Sequence, residues 1–332
     1  MRAFVIEGPG RGVVRAVPAP RPGAGQVVVD VERAGVCGTD VELLTGAMPY
    51  LHDGSASYPL RPGHEWSGRV LEVGAGVDAG LCGAHVTGDT MIGCRACASC
   101  RAGRHHLCAD RYEIGIRRGW PGALAERLLI PATALHVLPD AMDPAVAAFV
   151  EPAGTAWRAA DAAAGSRVCV WGPGTLGLLT LLFCRAGGAT VDVVGPDPTS
   201  RELALRLGAH ACYHPDDAPS SGYDAVVDAS TGANVSARAL DQVDPGGRVV
   251  LVGVAGAPSL VDTRGAVLRE ITIVGLLAAS LGLDQAISAL ARGAVRPEPL
   301  IARVVGLDDL AAVLRGDVGP AASGAPKVHV IP

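Results

Sequence analysis

What the 332-residue chain lacks narrows its function before any motif is read. No apolar run approaches the roughly 18 residues that a membrane span needs; the longest, residues 176–183 and 271–281, fall well short. The start of the chain lacks a charged segment followed by an apolar h-region, and residues 1–6 read as a strand instead. An excess of positive charge is also missing. The formal net charge is -5 and the 28 Lys and Arg are scattered, which excludes an extended nucleic-acid surface. There is no disulfide framework either: nine cysteines, four of them within fifteen positions, suit metal binding in a reducing compartment. These absences predict a cytoplasmic protein with neither a membrane nor a nucleic-acid partner.

What is present points to an enzyme-sized α/β chain. Its length suggests two domains at roughly 150 residues each, and 49% hydrophobic content supplies core for both. Short β segments at residues 3–6, 13–14 and 26–31 are separated by Pro/Gly clusters, an all-β entry without helical periodicity. The run Ala34-Gly35-Val36-Cys37-Gly38-Thr39-Asp40 follows, and a helix over residues 40–45 is expected, capped by Thr39 or Asp40. Residues 46–62 read as a loop holding His52 and Asp53, one wall of a cleft.

Two clusters carry metal chemistry. Gly63-His64-Glu65-Trp66-Ser67-Gly68 sets an imidazole beside a carboxylate, downstream of the isolated Cys37. Zinc held by one thiolate, one imidazole and one carboxylate keeps a position open, which distinguishes a catalytic site from a closed one. Cys94, Cys97, Cys100 and Cys108 form Cys-x2-Cys-x2-Cys-x7-Cys, enough thiolates for a closed tetrahedral site. An iron–sulfur cluster is the competing use of four cysteines and is not excluded by spacing alone. His105 and His106, inside the last gap, are expected to face solvent, as are Arg117 and Arg118 unless they meet an anionic substrate.

The second half alternates strand and helix. The apolar strand at residues 167–171 runs into Gly172-Pro173-Gly174-Thr175-Leu176-Gly177 and an apolar helix over residues 178–185. In that setting G-x-G-x-x-G permits a tight turn and close approach of a pyrophosphate to a helix N-terminus. Further segments at residues 190–194, 200–207, 225–228, 234–242, 247–253 and 271–276 predict a parallel, doubly wound sheet. An acidic residue normally ends the second strand and takes the ribose hydroxyls of NAD. Counting back from Leu207-Gly208-Ala209 against the medium-chain dehydrogenase/reductase family, which the chain resembles, places Gly195 there, leaving room for a 2′-phosphate. Asp197 could still reach a ribose, whereas Thr199, Ser200 and Arg201 could bind a phosphate; the reading favours NADP over NAD.

The Gly63–Gly68 stretch, running into Val70-Leu71-Glu72-Val73-Gly74-Ala75-Gly76-Val77, resembles the zinc signature of the medium-chain dehydrogenase/reductase family. The four-cysteine spacing resembles the structural zinc lobe of its alcohol dehydrogenases, which favours zinc over iron–sulfur. The resemblance covers essentially the whole chain. It implies a GroES-like β-rich catalytic domain (1–152 and 290–332, lobe at 93–110) into which a Rossmann cofactor domain (153–289) is inserted. It implies two zinc ions, one catalytic at Cys37 and His64 with Glu65 and Glu151 as carboxylates, one structural at the four cysteines. Glu151-Pro152 resembles the polyol and threonine dehydrogenases, where glutamate replaces cysteine. Cofactor contacts are implied at Thr155, Gly172, Gly174, Thr175, Leu176, Gly177, Gly195, Asp197, Arg201 and Gly253.

In the resembling family zinc makes an alcohol easier to deprotonate, a hydroxyl at the position of Thr39 takes the proton, and hydride leaves for the nicotinamide. The usual relay histidine five residues past the cysteine is Glu42 here. An exposed carboxylate is a weak base at neutrality, so either burial raises its pKa or release runs through water or His52. The expected activity interconverts a secondary alcohol (polyol, cyclitol or amino-polyol) and its ketone, in a homodimer or homotetramer. The alternatives are a reductase of an activated carbonyl or C=N bond, and a non-catalytic zinc- and nucleotide-binding protein.

Overall fold

The computed structural model describes residues 1–319 and 321–332. The chain forms two compact units. The first comprises Met1–Glu151, Arg303–Gly319 and Lys327–Pro332; the second holds Pro152–Ala302 and a short later piece ending at Pro326.

In the first unit, β1 (Arg2–Gly8) and β2 (Arg11–Ala16) make an antiparallel ribbon, and β3 (Gln26–Gly35) is the spine. Its Val27, Val29 and Val31 face the core, as strand alternation requires, beside Phe4, Ile6 and Trp66. β4 (Glu65–Val73) lies on one side of β3, followed outward by β5 (His85–Gly88); β6 (Met91–Ile92) and β7 (Tyr112–Glu113) pair separately. β8 (Arg127–Pro131) also pairs with β3, and β9 (Leu135–Val137) extends from β5. Register matters at the end of β3, where Gly35 faces Glu65 of β4. The expected loop over residues 46–62 contains one short helical turn, Pro49–His52.

The second unit is a six-stranded parallel sheet: β10 (Arg167–Trp171), β11 (Thr190–Val194), β12 (Ala211–Tyr213), β13 (Tyr223–Asp228), β14 (Val243–Leu251) and β15 (Thr272–Gly275). Spatial order is β12-β11-β10-β13-β14-β15, so direction reverses between β10 and β13, the switch point at which doubly wound sheets bind dinucleotides. β12 carried no signal in the sequence; it is three residues long and half-buried. The helix Thr175–Ala186 buries Leu178, Leu179, Leu181 and Phe183, which explains its apolar composition.

The helix Leu283–Ala291 belongs to this second unit, which runs on past the expected boundary at 289 to Ala302. A methyl group on Gly154 would lie 3.3 Å from Leu283, so that helix rests against Val150–Ala163. β16 (Ile301–Gly306) and β17 (Lys327–Ile331) then complete the first sheet, in the order β16-β17-β3-β4-β5-β9, with His329 opposite Gly35.

Close strand approach in the first unit depends on Gly68, where an added Cβ would lie 2.1 Å from the Asp30 carbonyl oxygen of β3. Gly68→Ala is therefore expected to destabilise the protein by about 2–3 kcal/mol through overpacking. A lowered denaturant midpoint with an unchanged slope checks this.

Candidate functional site

The end of β3 delivers Cys37, and the start of β4 delivers His64 and Glu65. Their candidate ligand atoms all lie within 4.8 Å of one another. Cys37, rather than Thr39 or Asp40, is the N-cap of the helix Gly38–Thr45. The expected cap fails because Asp40 turns back instead: its Oδ2 accepts from the Cys37 N–H at 2.9 Å and its Oδ1 from the Gly63 N–H at 3.2 Å. Asp40 is fully buried, and one carboxylate thus fixes the backbone on both sides of the cluster. It also stands 3.9 Å from Nδ1 of His64, the second partner that an imidazole ligand requires. Burial opposes protonation of His64, but Cys37, Asp40 and Glu151 outweigh it and hold its pKa well above the usual value.

Glu151 sits in the first turn of Val150–Ala163 and feels the charges of His64, Glu65 and Lys327; burial pushes its pKa up to about 7. Its carboxylate makes no hydrogen bond or ion pair among the described residues. Glu65 is different. Both its oxygens accept from Nζ of Lys327, at 2.8 and 2.6 Å, and Lys327 also donates to the Val36 carbonyl at 2.9 Å. Sequence reading missed Asp40 and Lys327.

Thr39 and Glu42 are half-buried on the helix Gly38–Thr45, and burial raises the Glu42 carboxyl above its usual range. His52 is exposed, with Nε2 on the Gly46 carbonyl at 2.9 Å. No hydrogen bond joins Thr39 to Glu42 or His52 among the described residues. Arg117 and Arg118 are committed locally: Arg117 donates to the Ala109 and Arg111 carbonyls and lies over the Tyr50 ring, and Arg118 pairs with Asp110. Trp120 stacks edge-on against Tyr112 and donates to the Leu129 carbonyl.

Cys94, Cys97, Cys100 and Cys108 bring four sulfur atoms within 4.8 Å of one another, all as free thiols. A tetrahedral zinc with bonds of about 2.3 Å needs sulfur separations of about 3.8 Å, so this donor set fits the ion. Backbone N–H groups of Ala96 and Cys97 hold the Cys94 thiol below the usual range. Contrary to expectation the neighbouring histidines do not face solvent. His106 is buried, and His105 is half-buried with Nε2 on Asp89 Oδ2 at 2.6 Å. They brace the lobe against the strand connection between β5 and β6.

In the second unit, Gly172 has φ +93° and Gly177 would put a Cβ 1.9 Å from the Gly172 carbonyl, so both need glycine; Gly174 is open and caps the helix that begins at Thr175 and Leu176. Gly253 packs equally tightly on Ser230, and Thr155 is buried. Gly195 also has no space: a Cβ would lie 2.4 Å from the Pro173 ring. Asp197 caps the helix Pro198–Arg206, and the Ser200 and Thr199 hydroxyls donate to it, holding its pKa down at about 2. Those hydroxyls are consequently not free for a phosphate. Arg201 donates to the Gly195 and Pro196 carbonyls at 2.6 and 2.7 Å, which sets its guanidinium at the end of β11.

Residues 23–140 match the family model of the alcohol dehydrogenase GroES-like domain, and residues 175–292 that of zinc-binding dehydrogenase. An L-threonine 3-dehydrogenase of Saccharopolyspora erythraea is 31% identical over 290 residues, 83% of each chain. A solved structure from Sinorhizobium meliloti, described as a zinc-binding dehydrogenase bound to NADP, is 33% identical. Its TM-score is 0.90, and the match covers 100% of this chain and 99% of that one. An alcohol dehydrogenase of Thermus sp. ATN1 is 29% identical with a TM-score of 0.89, over 100% of this chain and 99% of that one.

The four-cysteine lobe generates a direct expectation. Cys97→Ser should lower bound metal by about one ion per chain and reduce the melting temperature, because a three-thiolate site holds zinc far less tightly. Elemental analysis beside a thermal melt checks both.

Proposed function

The chain belongs to the zinc-dependent alcohol dehydrogenases of the medium-chain dehydrogenase/reductase family, and from that premise we propose that its substrate is a polyol, cyclitol or amino-polyol oxidised at a secondary carbinol. The observation carrying this reading is Glu151, a half-buried carboxylate with no hydrogen bond or ion pair among the described residues whose charge acts on His64, where thiolate-type members have cysteine. The L-threonine 3-dehydrogenase relatives support it, since their named substrate is also a secondary alcohol with a polar neighbour.

Zinc held by Cys37, His64 and a carboxylate would supply Lewis acidity at the carbinol oxygen. The chain's own residues do the rest. Thr39 relays the alcohol proton, its hydroxyl oxygen accepting that proton as its own hydrogen passes on to solvent, and Asp40 keeps Cys37 and His64 in position. Glu42, raised by burial, is a better proton acceptor at neutrality than an exposed carboxylate and takes the place of the relay histidine. A second zinc in the four-cysteine lobe has a structural role, which the closed donor set supports.

For the nucleotide we propose NADP. A carboxylate at Gly195 would reject a 2′-phosphate and Pro173 allows none there; the Asp197 carboxylate is turned to the Thr199 and Ser200 hydroxyls of its own helix, and Arg201 provides a cation at the end of β11. The homologue bound to NADP supports this choice. We also propose a homo-oligomer formed through the β15 edge. β15 has an unpaired side, and Val254, Leu260, Val267 and Leu268 nearby are 76%, 93%, 76% and 83% exposed, an unusual concentration of bare apolar surface. No helix among the described residues is long and apolar enough to cross a membrane.

Nicotinamide absorbance with NADP and a panel of polyols, aminocyclitols and hydroxy amino acids tests the activity; no turnover across the panel with metal and nucleotide bound would sink the substrate class. Thr39→Val should lower kcat about 100-fold or more with nucleotide binding unchanged. Gly195→Asp alone should weaken both nucleotides by its clash with Pro173. Combined with Pro173→Ala it should turn preference towards NADH by about tenfold or more, the effect of one charged hydrogen bond of about 1.5–3 kcal/mol; titrations with both nucleotides read this out.

A further inference from the structure

Arg111 joins three separate pieces of the first unit. Its Nε donates to Glu113 Oε1 at 2.8 Å, Nη2 to the Tyr50 hydroxyl at 3.1 Å and Nη1 to the Cys108 carbonyl at 3.2 Å. Glu113 lies on β7, Tyr50 on the helical turn Pro49–His52, and Cys108 is one of the four clustered cysteines. The Arg111 and Glu113 side chains are only 14% and 4% exposed, so the pair is held away from water. A planar guanidinium with donors in a fixed fork suits such a junction, because each contact constrains the other two.

Tyr50 is held at its hydroxyl and on its ring. The hydroxyl accepts from Arg111 and donates to Glu113 Oε1 at 3.1 Å, while Arg117 Cζ lies 5.4 Å from the ring centroid. Arg117 itself donates to the carbonyls of Ala109 and Arg111, so both cations that grip Tyr50 are anchored on the residues just after Cys108. The segment they grip runs between the two proposed metal ligands: the helix capped by Cys37 ends at Thr45, and His64 lies beyond. Inside it, the Leu51, Asp53 and Ala56 N–H groups bond to the Met48, Pro49 and Tyr50 carbonyls. Such short-range bonds in a loop open easily unless something outside holds them.

We propose that Arg111 and Tyr50 are positioning residues that couple the four-cysteine lobe to the wall of the substrate cleft. With metal in the lobe Cys108 is fixed, Arg111 holds Tyr50, and residues 46–56 keep the order that substrate binding requires. An empty lobe frees Cys108 and loosens that wall. The lobe metal therefore sets substrate affinity as well as stability, a coupling between two places that share no ligand. This rests on reading the four cysteines as a metal site and residues 46–62 as a cleft wall.

Hydrogen exchange in peptides spanning residues 46–56 of the metal-loaded protein tests the coupling without any substrate. Cys97→Ser, which empties the lobe, should speed exchange there by about tenfold or more. Tyr50→Phe, which removes only the hydroxyl, should speed it comparably with the metal content of the parent. The double variant should exchange no faster than either single one, the non-additivity of a shared path. On substrate, Tyr50→Phe should raise KM by about five- to tenfold with kcat within about twofold of the parent, a split that loss of folded protein does not produce. Exchange unmoved by Cys97→Ser overturns the proposal, as do single effects that multiply in the double variant. Should Cys97→Ser fail to fold, Arg111→Lys, which keeps the charge and loses the fork, should reproduce the Tyr50→Phe exchange, and parent-like exchange in it overturns the proposal equally. A parent protein that turns over no alcohol would remove the substrate reading alone, since the exchange rates decide the coupling by themselves.

Discussion

Around Cys37 the chain buries more acid than it can neutralise. One thiol and the carboxyls of Asp40, Glu65 and Glu151 share a space with one imidazole and one ammonium. Unpaired buried charge is costly, and in a protein interior it is met by partners, by a shifted pKa or by a bound cation. The first two responses are visible. Asp40 is bonded to two backbone N–H groups, Glu65 is paired, and the carboxyl left alone, Glu151, has its pKa pushed up to about 7. A divalent cation at this point would relieve the remaining imbalance, which is why the donor set fits a metal without appeal to any relative.

The same constraint explains features of the fold that lie far away in sequence. The closing strand β17 returns to β3 and brings the chain's one lysine to the cluster; Lys327 and Glu65 are 262 residues apart in the chain and bonded in space. Gly35 must lack a side chain because the pair closes across it. On the other side, Asp89 accepts from the Met91 backbone and binds His105, so the connection between β5 and β6 joins the four-cysteine lobe to the sheet that carries His64. The lobe stiffens the support of the proposed catalytic centre while contributing nothing to its ligands.

Much of this was legible in the sequence, and the division follows from physics. Cys37, His64, Glu65, the four-cysteine run and the Gly172 to Gly177 turn are short-range patterns whose spacing carries their chemistry, and the structure brings each set together. The parallel sheet was legible from alternating apolar segments. Partners set by long-range pairing were not. Asp40 looked like a helix cap because its residue type and place fit one, and only the fold shows that it bonds backward to Cys37 and across to Gly63. His105 and His106 looked solvated because nothing local reveals Asp89 or the burial above them.

Composition nevertheless held one long-range clue. Where a solvated positive charge suffices, this chain uses arginine. Lysine, a compact point charge, stands instead in the buried space between Glu65 and Val36. In a chain with 28 basic residues, the single lysine falls beside Cys37, at a buried position. Pro173 and Gly195 show the complementary case: glycine is common enough here to pass as background, yet the proline ring makes this one obligatory and sets the charge at the end of β11. A biased composition hides the residues that conform to it and exposes those that do not, so the exceptions locate geometric constraint where motif spacing gives no signal.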